Sequence, residues 1–263
     1  MEYFAGLFDA EGYVSLVKDG HFVIGTQMAN EEIPNLFQEK FGGKIYTQQR
    51  DKRKKTWSWM LATNPGPCID FVEAISKHCI VKGEQLLKLR CYLEQTRKEK
   101  RQNRYEFIRA ISNLKEPPTT SNSRIWISPD IIPDRDFFKW LAGFLDGDGN
   151  LCVYEYKGIF YSRIGIFNIF PSAIITTARR IKGSITISTG CNFPVWKWIC
   201  CQKDSEFACE SLLPHLVIKK EQCKLLIEFL NIKKTKIRDQ SYSFDQVNQI
   251  REIINQIKHL NSL

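Results

Sequence analysis

The sequence has no apolar run that approaches the ~20 residues needed to cross a membrane, and its N-terminus lacks a signal-peptide pattern. Its nine cysteines include no Cys-x-x-Cys pair, so their spacing fits neither a zinc site nor a disulfide framework. No segment has the spacing of a nucleophile–base triad or of a phosphate-binding loop. We therefore expect an intracellular protein with free thiols and no membrane segment.

Charge and composition give the first positive indication. The 263-residue chain has a formal net charge of +9, and its hydrophobic and charged contents of 43% and 25% are those of a globular protein. A basic balance favours a polyanionic partner. A merely solubilising surface charge explains the same number equally well.

A ten-residue pattern occurs twice, at residues 3–12 (YFAGLFDAEG) and 140–149 (WLAGFLDGDG). Each copy reads aromatic, apolar, Ala, Gly, two apolar residues, Asp, a small residue, an acid and Gly. A second pair of segments, 78–85 (HCIVKGEQ) and 215–222 (HLVIKKEQ), repeats at the same offset, and a Trp-x-Trp pair also occurs in both halves. The sequence therefore predicts an internal duplication.

Hydrophobic periodicity predicts the same element order in both halves: helix, strand, strand, helix, strand, strand, helix. In the first half the predicted elements are strands at 13–17, 22–28, 44–50 and 56–63, a helix after a cap at Asn30 that ends at Gly42 and Gly43, and helical stretches at 68–77 and 82–114. In the second half they are strands at 151–156 and 161–167, a helix to Ile181, a hairpin around 190–194, helices from Asp204 onward and a C-terminal helix at 245–260. We predict an α+β fold with halves at 1–115 and 137–263, joined by a linker at 116–136.

Small residues spaced four apart lie on one face of each motif helix: Gly6 and Ala10 in the first copy, Gly143 and Gly147 in the second. Such residues let two helices approach with their backbones almost in contact. The alternative is that both are simply buried core helices.

An acid near the C-terminal end of each motif helix is not explained by core packing. Glu11 and Asp148 occupy equivalent positions, just before the final glycine. The negative end of the helix macrodipole disfavours a carboxylate there by ~0.3–1 kcal/mol unless a cation offsets it. Paired carboxylates of this kind indicate a site for a hard cation with oxygen ligands.

The paired motif resembles that of the LAGLIDADG homing endonucleases, in the single-chain form that carries both motifs. The resemblance covers essentially the whole chain. It implies two αββαββα halves related by a pseudo-twofold axis, with the motif helices at the central interface and each antiparallel sheet forming a saddle over DNA. It also assigns metal binding to Glu11 and Asp148, assisted by the carbonyl groups of Ala10 and Gly147.

The same resemblance implies further catalytic residues. The family keeps a lysine near the scissile phosphate, and Lys82 and Lys219 occupy that place. The alternative is that each lysine is merely solvated. A polar residue at the end of the second strand orders the water network in the family; Gln27 and Asn168 are the candidates, with Asn30 competing for the role of Gln27.

DNA contacts are predicted from the strands themselves, since a two-stranded ribbon fits the major groove and alternate residues share a face. The predicted contacts in the first half are Lys44, Tyr46, Gln48 and Arg50, with Lys52, Arg53, Lys54 and Lys55 at the tip. In the second half they are Cys152, Tyr154, Tyr156 and Arg163. The Trp-x-Trp pairs are assigned to the core rather than to bases.

The resemblance predicts a monomeric endonuclease that cuts a long, asymmetric double-stranded DNA target and leaves 3′ overhangs. We expect dependence on Mg²⁺, substitution by Mn²⁺, and binding without cleavage in Ca²⁺. An intron-encoded enzyme of this kind is expected in a chloroplast or mitochondrion, or in the cytoplasm of an archaeon or bacterium. The alternatives are an RNA maturase that assists splicing of its group I intron, a bifunctional protein, and a DNA-binding regulator on the same scaffold.

Overall fold

The computed structural model describes residues 1–49, 55–62, 64–116, 134–189, 193–201, 203–235 and 242–262. By its internal contacts the chain divides into two compact units, Met1–Trp140 and Leu141–Leu263. Most of the predicted linker lies outside the described residues. In the part of the chain that is described, no helix is long and apolar enough to cross a membrane.

Both units follow the predicted element order. The first contains α1 (Glu2–Glu11), β1 (Gly12–Leu16), β2 (Phe22–Met28), α2 (Glu32–Phe41), β3 (Lys44–Gln48), β4 (Thr56–Ala62), α3 (Pro65–Ile75), a 3₁₀ turn (Ser76–His78), α4 (Gly83–Leu93) and α5 (Arg97–Asn113). Helix α6 (Asp134–Asp148) crosses the division and leads into the second unit. That unit continues with β5 (Gly149–Tyr156), β6 (Ile159–Asn168), α7 (Pro171–Arg180), β7 (Ser184–Ser188), β8 (Val195–Cys201), α8 (Lys203–Leu212), α9 (Lys220–Thr235) and α10 (Phe244–Ser262).

One predicted helix is wrong, because the stretch 82–114 forms two helices rather than one. The break lies at Glu94–Thr96, where Thr96 becomes the N-cap of α5. Its side chain accepts a hydrogen bond from the Glu99 amide, while the Glu99 carboxylate accepts one from the Thr96 amide. This capping box gives the second helix its own start and satisfies amides that would otherwise lack partners. Asn30 is likewise not the N-cap of α2, which is Glu31, although its side chain accepts from the Glu32 amide.

Each unit contains one antiparallel four-stranded sheet, with strand orders β1-β2-β4-β3 and β5-β6-β8-β7. One face of each sheet packs against helices. Trp59 and Trp198 lie on that face and are completely buried. Their indole N–H groups donate to the carbonyl oxygens of Gly42 and Ile181, at 2.7 and 3.3 Å. The prediction that the Trp-x-Trp pairs belong to the core is confirmed for these two, whereas Trp57 and Trp196 are only half-buried.

Candidate functional site

The predicted metal-binding acids are the last residues of their helices. Glu11 ends α1 and is half-buried, and Asp148 ends α6 and is exposed. The next residue in each copy, Gly12 or Gly149, already begins a strand. A Cβ atom on Gly12 would lie 2.3 Å from the Phe8 ring. A larger residue would have to displace this buried ring, so glycine suits the junction between helix and strand at which the acid lies.

Lys82 and Lys219 lie directly at the helix ends that carry these acids. The Lys82 ammonium group donates to the carbonyl oxygens of Phe8, Asp9 and Ala10, at 2.9, 2.7 and 3.0 Å. The carbonyls of Asp9 and Ala10 are among those that the end of a helix leaves without intrahelical partners, and that of Phe8 also accepts from the Gly12 amide. A cation there also offsets the negative end of the macrodipole. The lysine is therefore part of the helix end rather than merely solvated.

The second unit repeats the arrangement around α6. The Lys219 ammonium group donates to the carbonyl oxygens of Leu145, Asp146 and Gly147, at 2.7, 2.7 and 3.1 Å. The two predicted lysines are thus brought beside the two predicted carbonyl ligands, Ala10 and Gly147. Their catalytic role remains a prediction.

The sequence reasoning missed Asp9 in the first motif. Its carboxylate is completely buried and accepts hydrogen bonds from the backbone amides of Ile80, Val81 and Lys82, at 2.6, 3.1 and 2.8 Å. The Trp140 indole donates a fourth, at 3.0 Å. Burial raises the pKa of the Asp9 carboxyl, and the hydrogen bonds from Lys82, Ile80 and Trp140 lower it in part.

Asp146 occupies the equivalent position in the second motif and is 2% exposed. Its carboxylate accepts from the backbone amides of Val217, Ile218 and Lys219, at 2.8, 3.1 and 2.8 Å. We call each carboxylate–lysine arrangement a clasp: Asp9 with Lys82, and Asp146 with Lys219. The sequence carried a signal for the two buried carboxylates, because an Asp recurs inside an apolar helix and charged residues are almost never fully buried without partners. It did not indicate which residues are those partners.

The donor groups at each helix end suit a hard divalent cation. A carboxylate and a backbone carbonyl are the oxygen ligands that such ions prefer, and a carbonyl that accepts from lysine keeps a second lone pair. Within the described residues, no group of three or more His, Cys, Asp or Glu side chains could hold a metal. This sparse set fits a divalent cation that keeps several waters and binds through one or two carboxylates.

The first sheet presents three of the predicted DNA contacts on the face away from the core. Lys44, Tyr46 and Gln48 alternate with Ile45 along β3, and all three are exposed. Tyr46 and Gln27 both pair with Ser58, so they share this open face. Arg50, Lys52, Arg53 and Lys54 lie outside the described residues. Lys55 is described, and its ammonium group lies 3.9 Å from the centre of the Trp57 ring.

The open face of the second sheet carries a cluster of two tyrosines and an arginine. Tyr154 pairs with Tyr161, and their rings stack at a centroid distance of 5.5 Å. The Arg163 guanidinium lies 4.9 Å from the centre of the Tyr154 ring and donates to the Tyr154 hydroxyl at 3.3 Å. Cys152 pairs with Arg163, and Tyr156 lies two residues beyond Tyr154, so these predicted contacts also share the open face.

Gln27 and Asn168 are not equivalent in register. Gln27 lies opposite Ser58, between the two tryptophans of β4, and the residue opposite Lys197 in the second sheet is Phe167. Asn168 pairs instead with Trp196, on the core side, and its side chain accepts from the Phe170 amide at 2.9 Å. The structure therefore does not support Asn168 as the counterpart of Gln27.

The small residues of the two motif helices are buried or half-buried, as expected for residues on an apolar helix face. Gly6 and Gly143 are buried, while Ala10 and Gly147 are half-buried. Their role in close packing of the two motif helices remains a prediction.

Comparison with known proteins identifies the fold. No family model matches the chain, and no curated protein is similar in sequence. Solved structures do match: I-SmaMI bound to an uncleaved DNA target in the presence of calcium ions has a TM-score of 0.68 at 14% identity, over 98% of either chain. The LAGLIDADG meganuclease I-AabMI bound to uncleaved DNA has a TM-score of 0.66 at 14% identity, over 96% of this chain and 97% of that one. The LAGLIDADG homing endonuclease I-LtrWI bound to target DNA has a TM-score of 0.66 at 16% identity, over 97% and 96%. The chain therefore has the fold of the single-chain LAGLIDADG homing endonucleases.

Proposed function

We propose that this protein is a site-specific endonuclease that hydrolyses double-stranded DNA with the help of divalent cations. The observation that carries the proposal is the repeated helix end. In each unit an acid stands at a helix-to-strand junction, and a lysine binds the three carbonyls beside it. A core helix needs neither the acid nor its fixed position.

The similar structures support the same activity. I-SmaMI is bound to an uncleaved DNA target in the presence of calcium ions, and I-LtrWI is bound to target DNA. This chain spans 98% of the I-SmaMI chain, so the likeness extends over nearly all of that DNA-bound protein.

Glu11 and Asp148 would hold Mg²⁺, together with the carbonyl groups of Ala10 and Gly147. When bound, the cation supplies a nucleophilic water at neutral pH and stabilises charge on the leaving 3′ oxygen. The chain contributes position and charge. Lys82 and Lys219 bring positive charge to the place where phosphate charge develops, and Gln27 offers an amide to orient water. We propose that Mn²⁺ replaces Mg²⁺ and that Ca²⁺ supports binding alone.

The two open sheet faces would bind the DNA. Among the described strand residues the one acid is Glu155, which alternates with Tyr154 and Tyr156 and so lies on the opposite face of its sheet, although the chain has 29 acidic residues. Polyanion binding requires such a surface. Two sheets would cover about two helical turns of duplex. Because one face presents Tyr46 and Gln48 where the other presents Tyr154 and Arg163, the target would be asymmetric. We propose that a single chain cuts both strands and leaves 3′ overhangs.

The test begins with a target selected from a randomised DNA library cleaved in Mg²⁺. Glu11→Gln and Asp148→Asn should then retain binding in Ca²⁺ and lose cleavage of at least one strand in Mg²⁺. Glu106→Gln and Asp70→Asn, which neutralise exposed acids on other helices, are the matched controls and should cut normally. Wild-type cleavage of both strands by the Glu11 and Asp148 variants would refute the assignment of the acids.

A further inference from the structure

The clasps are closed loops, and this distinguishes them from ordinary helix caps. The buried carboxylate of Asp9 holds the backbone of residues 80–82 through three amides. The side chain of Lys82 then returns and holds three carbonyls, including that of Asp9 itself. The two segments are thus joined twice, once by the Asp9 carboxylate and once by the Lys82 ammonium group.

Each loop closes at the N-terminus of a second helix. Lys82 is the N-cap of α4. The amides that donate hydrogen bonds to Asp9 therefore lie at the positive end of the α4 macrodipole. A buried carboxylate without such partners would be strongly destabilising, because desolvation costs several kcal/mol per ion. The partners therefore fix Asp9, and through Lys82 they fix the last turn of α1.

The two clasps repeat this geometry with different neighbours. The amide donors are Ile80 and Val81 in the first unit but Val217 and Ile218 in the second, yet corresponding N–H···O distances differ by at most 0.2 Å. In both, the residue two positions after the buried Asp is the proposed metal-binding acid. The clasp is thus the part of each unit that sets where this acid stands.

We propose that Asp9 and Asp146 are positioning residues for the reaction, each acting through its lysine on the cleavage of one DNA strand. This inference rests on the proposed function and extends it to two residues that do not themselves touch DNA or metal. A displacement of about 1 Å at a reacting group can cost ~10²-fold in rate. Loss of one clasp should therefore slow one strand by ~10²-fold and spare the other.

The experiment uses the full-length chain and a target labelled with a different fluorophore on each strand, under single-turnover conditions. Asp9→Asn should slow one strand and Asp146→Asn the other, while both variants keep wild-type DNA affinity in Ca²⁺. Asp70→Asn, an exposed position on α3, is the matched control. Equal slowing of both strands together with weaker DNA binding would show a purely structural role and overturn the proposal. Wild-type rates on both strands would overturn it as well.

A second variant, Lys82→Met, keeps the test valid if Asp9→Asn fails to fold. It removes the ammonium group and leaves the buried carboxylate with its amide donors. It should slow the same strand as Asp9→Asn, and the double variant should lose no more than either alone. If Asp9→Asn and Lys82→Met slowed cleavage of opposite strands, the proposed action of Asp9 through Lys82 would be wrong. The same holds if their rate losses added up in the double variant.

Hydrogen exchange supplies a readout that needs no cleavage. The Gly12 amide donates to the Phe8 carbonyl at the end of α1. Both Asp9→Asn and Lys82→Met should speed its exchange, and unchanged exchange would overturn the positioning role. A wild-type protein that cuts no DNA would refute the proposed function without deciding this point.

Discussion

Replacement of Gly149 by alanine tests whether the helix-to-strand junction sets the stability and activity of the second unit. A Cβ atom there would lie 2.4 Å from Leu145 Cδ2, 2.5 Å from Leu145 Cα and 2.6 Å from the Leu145 carbonyl oxygen. Two of these three atoms belong to the backbone, so a side-chain rotation cannot relieve the overlap. Overpacking of a core costs about 1–3 kcal/mol, and contacts with backbone atoms place this variant at the upper end.

A loss of about 2–3 kcal/mol lowers the melting temperature by roughly 8–12 °C for a unit of this size. Thermal and urea unfolding measure that loss, and strand-resolved cleavage measures displacement of Asp148. The matched control is Gly66→Ala in α3, where the nearest atom to the new Cβ is Asn64 Oδ1 at 3.6 Å. Gly66→Ala should be neutral or stabilising. A Gly149→Ala variant as stable and as active as Gly66→Ala would refute the close-approach argument.

Three further predictions concern individual contacts. Thr96→Ala removes the capping box of α5 and should cost about 1 kcal/mol in urea unfolding, whereas Ser112→Ala on the same helix should be neutral. Arg163→Lys replaces the guanidinium stacked on Tyr154, and it should reduce by about 1–3 kcal/mol the preference for the correct base at one position of the target, measured as binding in Ca²⁺. An equal loss of affinity on every target variant would instead indicate a phosphate contact. Burial raises the pKa of the Cys68 thiol to about 11, so that only about one molecule in a thousand is a thiolate at pH 8. Iodoacetamide at pH 8 should therefore modify exposed Cys91 in the native protein and reach Cys68 only after unfolding, as mass spectrometry of digests will show.

The sequence was informative wherever a pattern repeats. The two motif copies predicted the duplicated element order, and the alternation along β3 predicted which side chains share the open face. The predicted strands agree with the structure within two residues at each end. These features depend on local periodicity, which a single chain displays directly.

What the sequence did not predict depends on contacts between distant segments. Asp9 and Lys82 are 73 residues apart, and nothing in either segment indicates that they close a loop. The register of β6 against β8 moved Asn168 to the core side, because a shift of one residue reverses the face of every side chain. The break at Thr96 was hidden by continuous helix-forming residues on either side of the cap.

The open sheet faces have a consequence for how this protein changes over time. Their side chains alternate with the buried ones, so Lys44, Tyr46 and Gln48 can be exchanged without disturbing Trp59 or the helices beneath it. Substitutions at such exposed positions usually alter stability by no more than about 0.5 kcal/mol. Under the proposed function, recognition would therefore drift to a new target while the clasps and the core remain untouched, and each sheet would drift on its own.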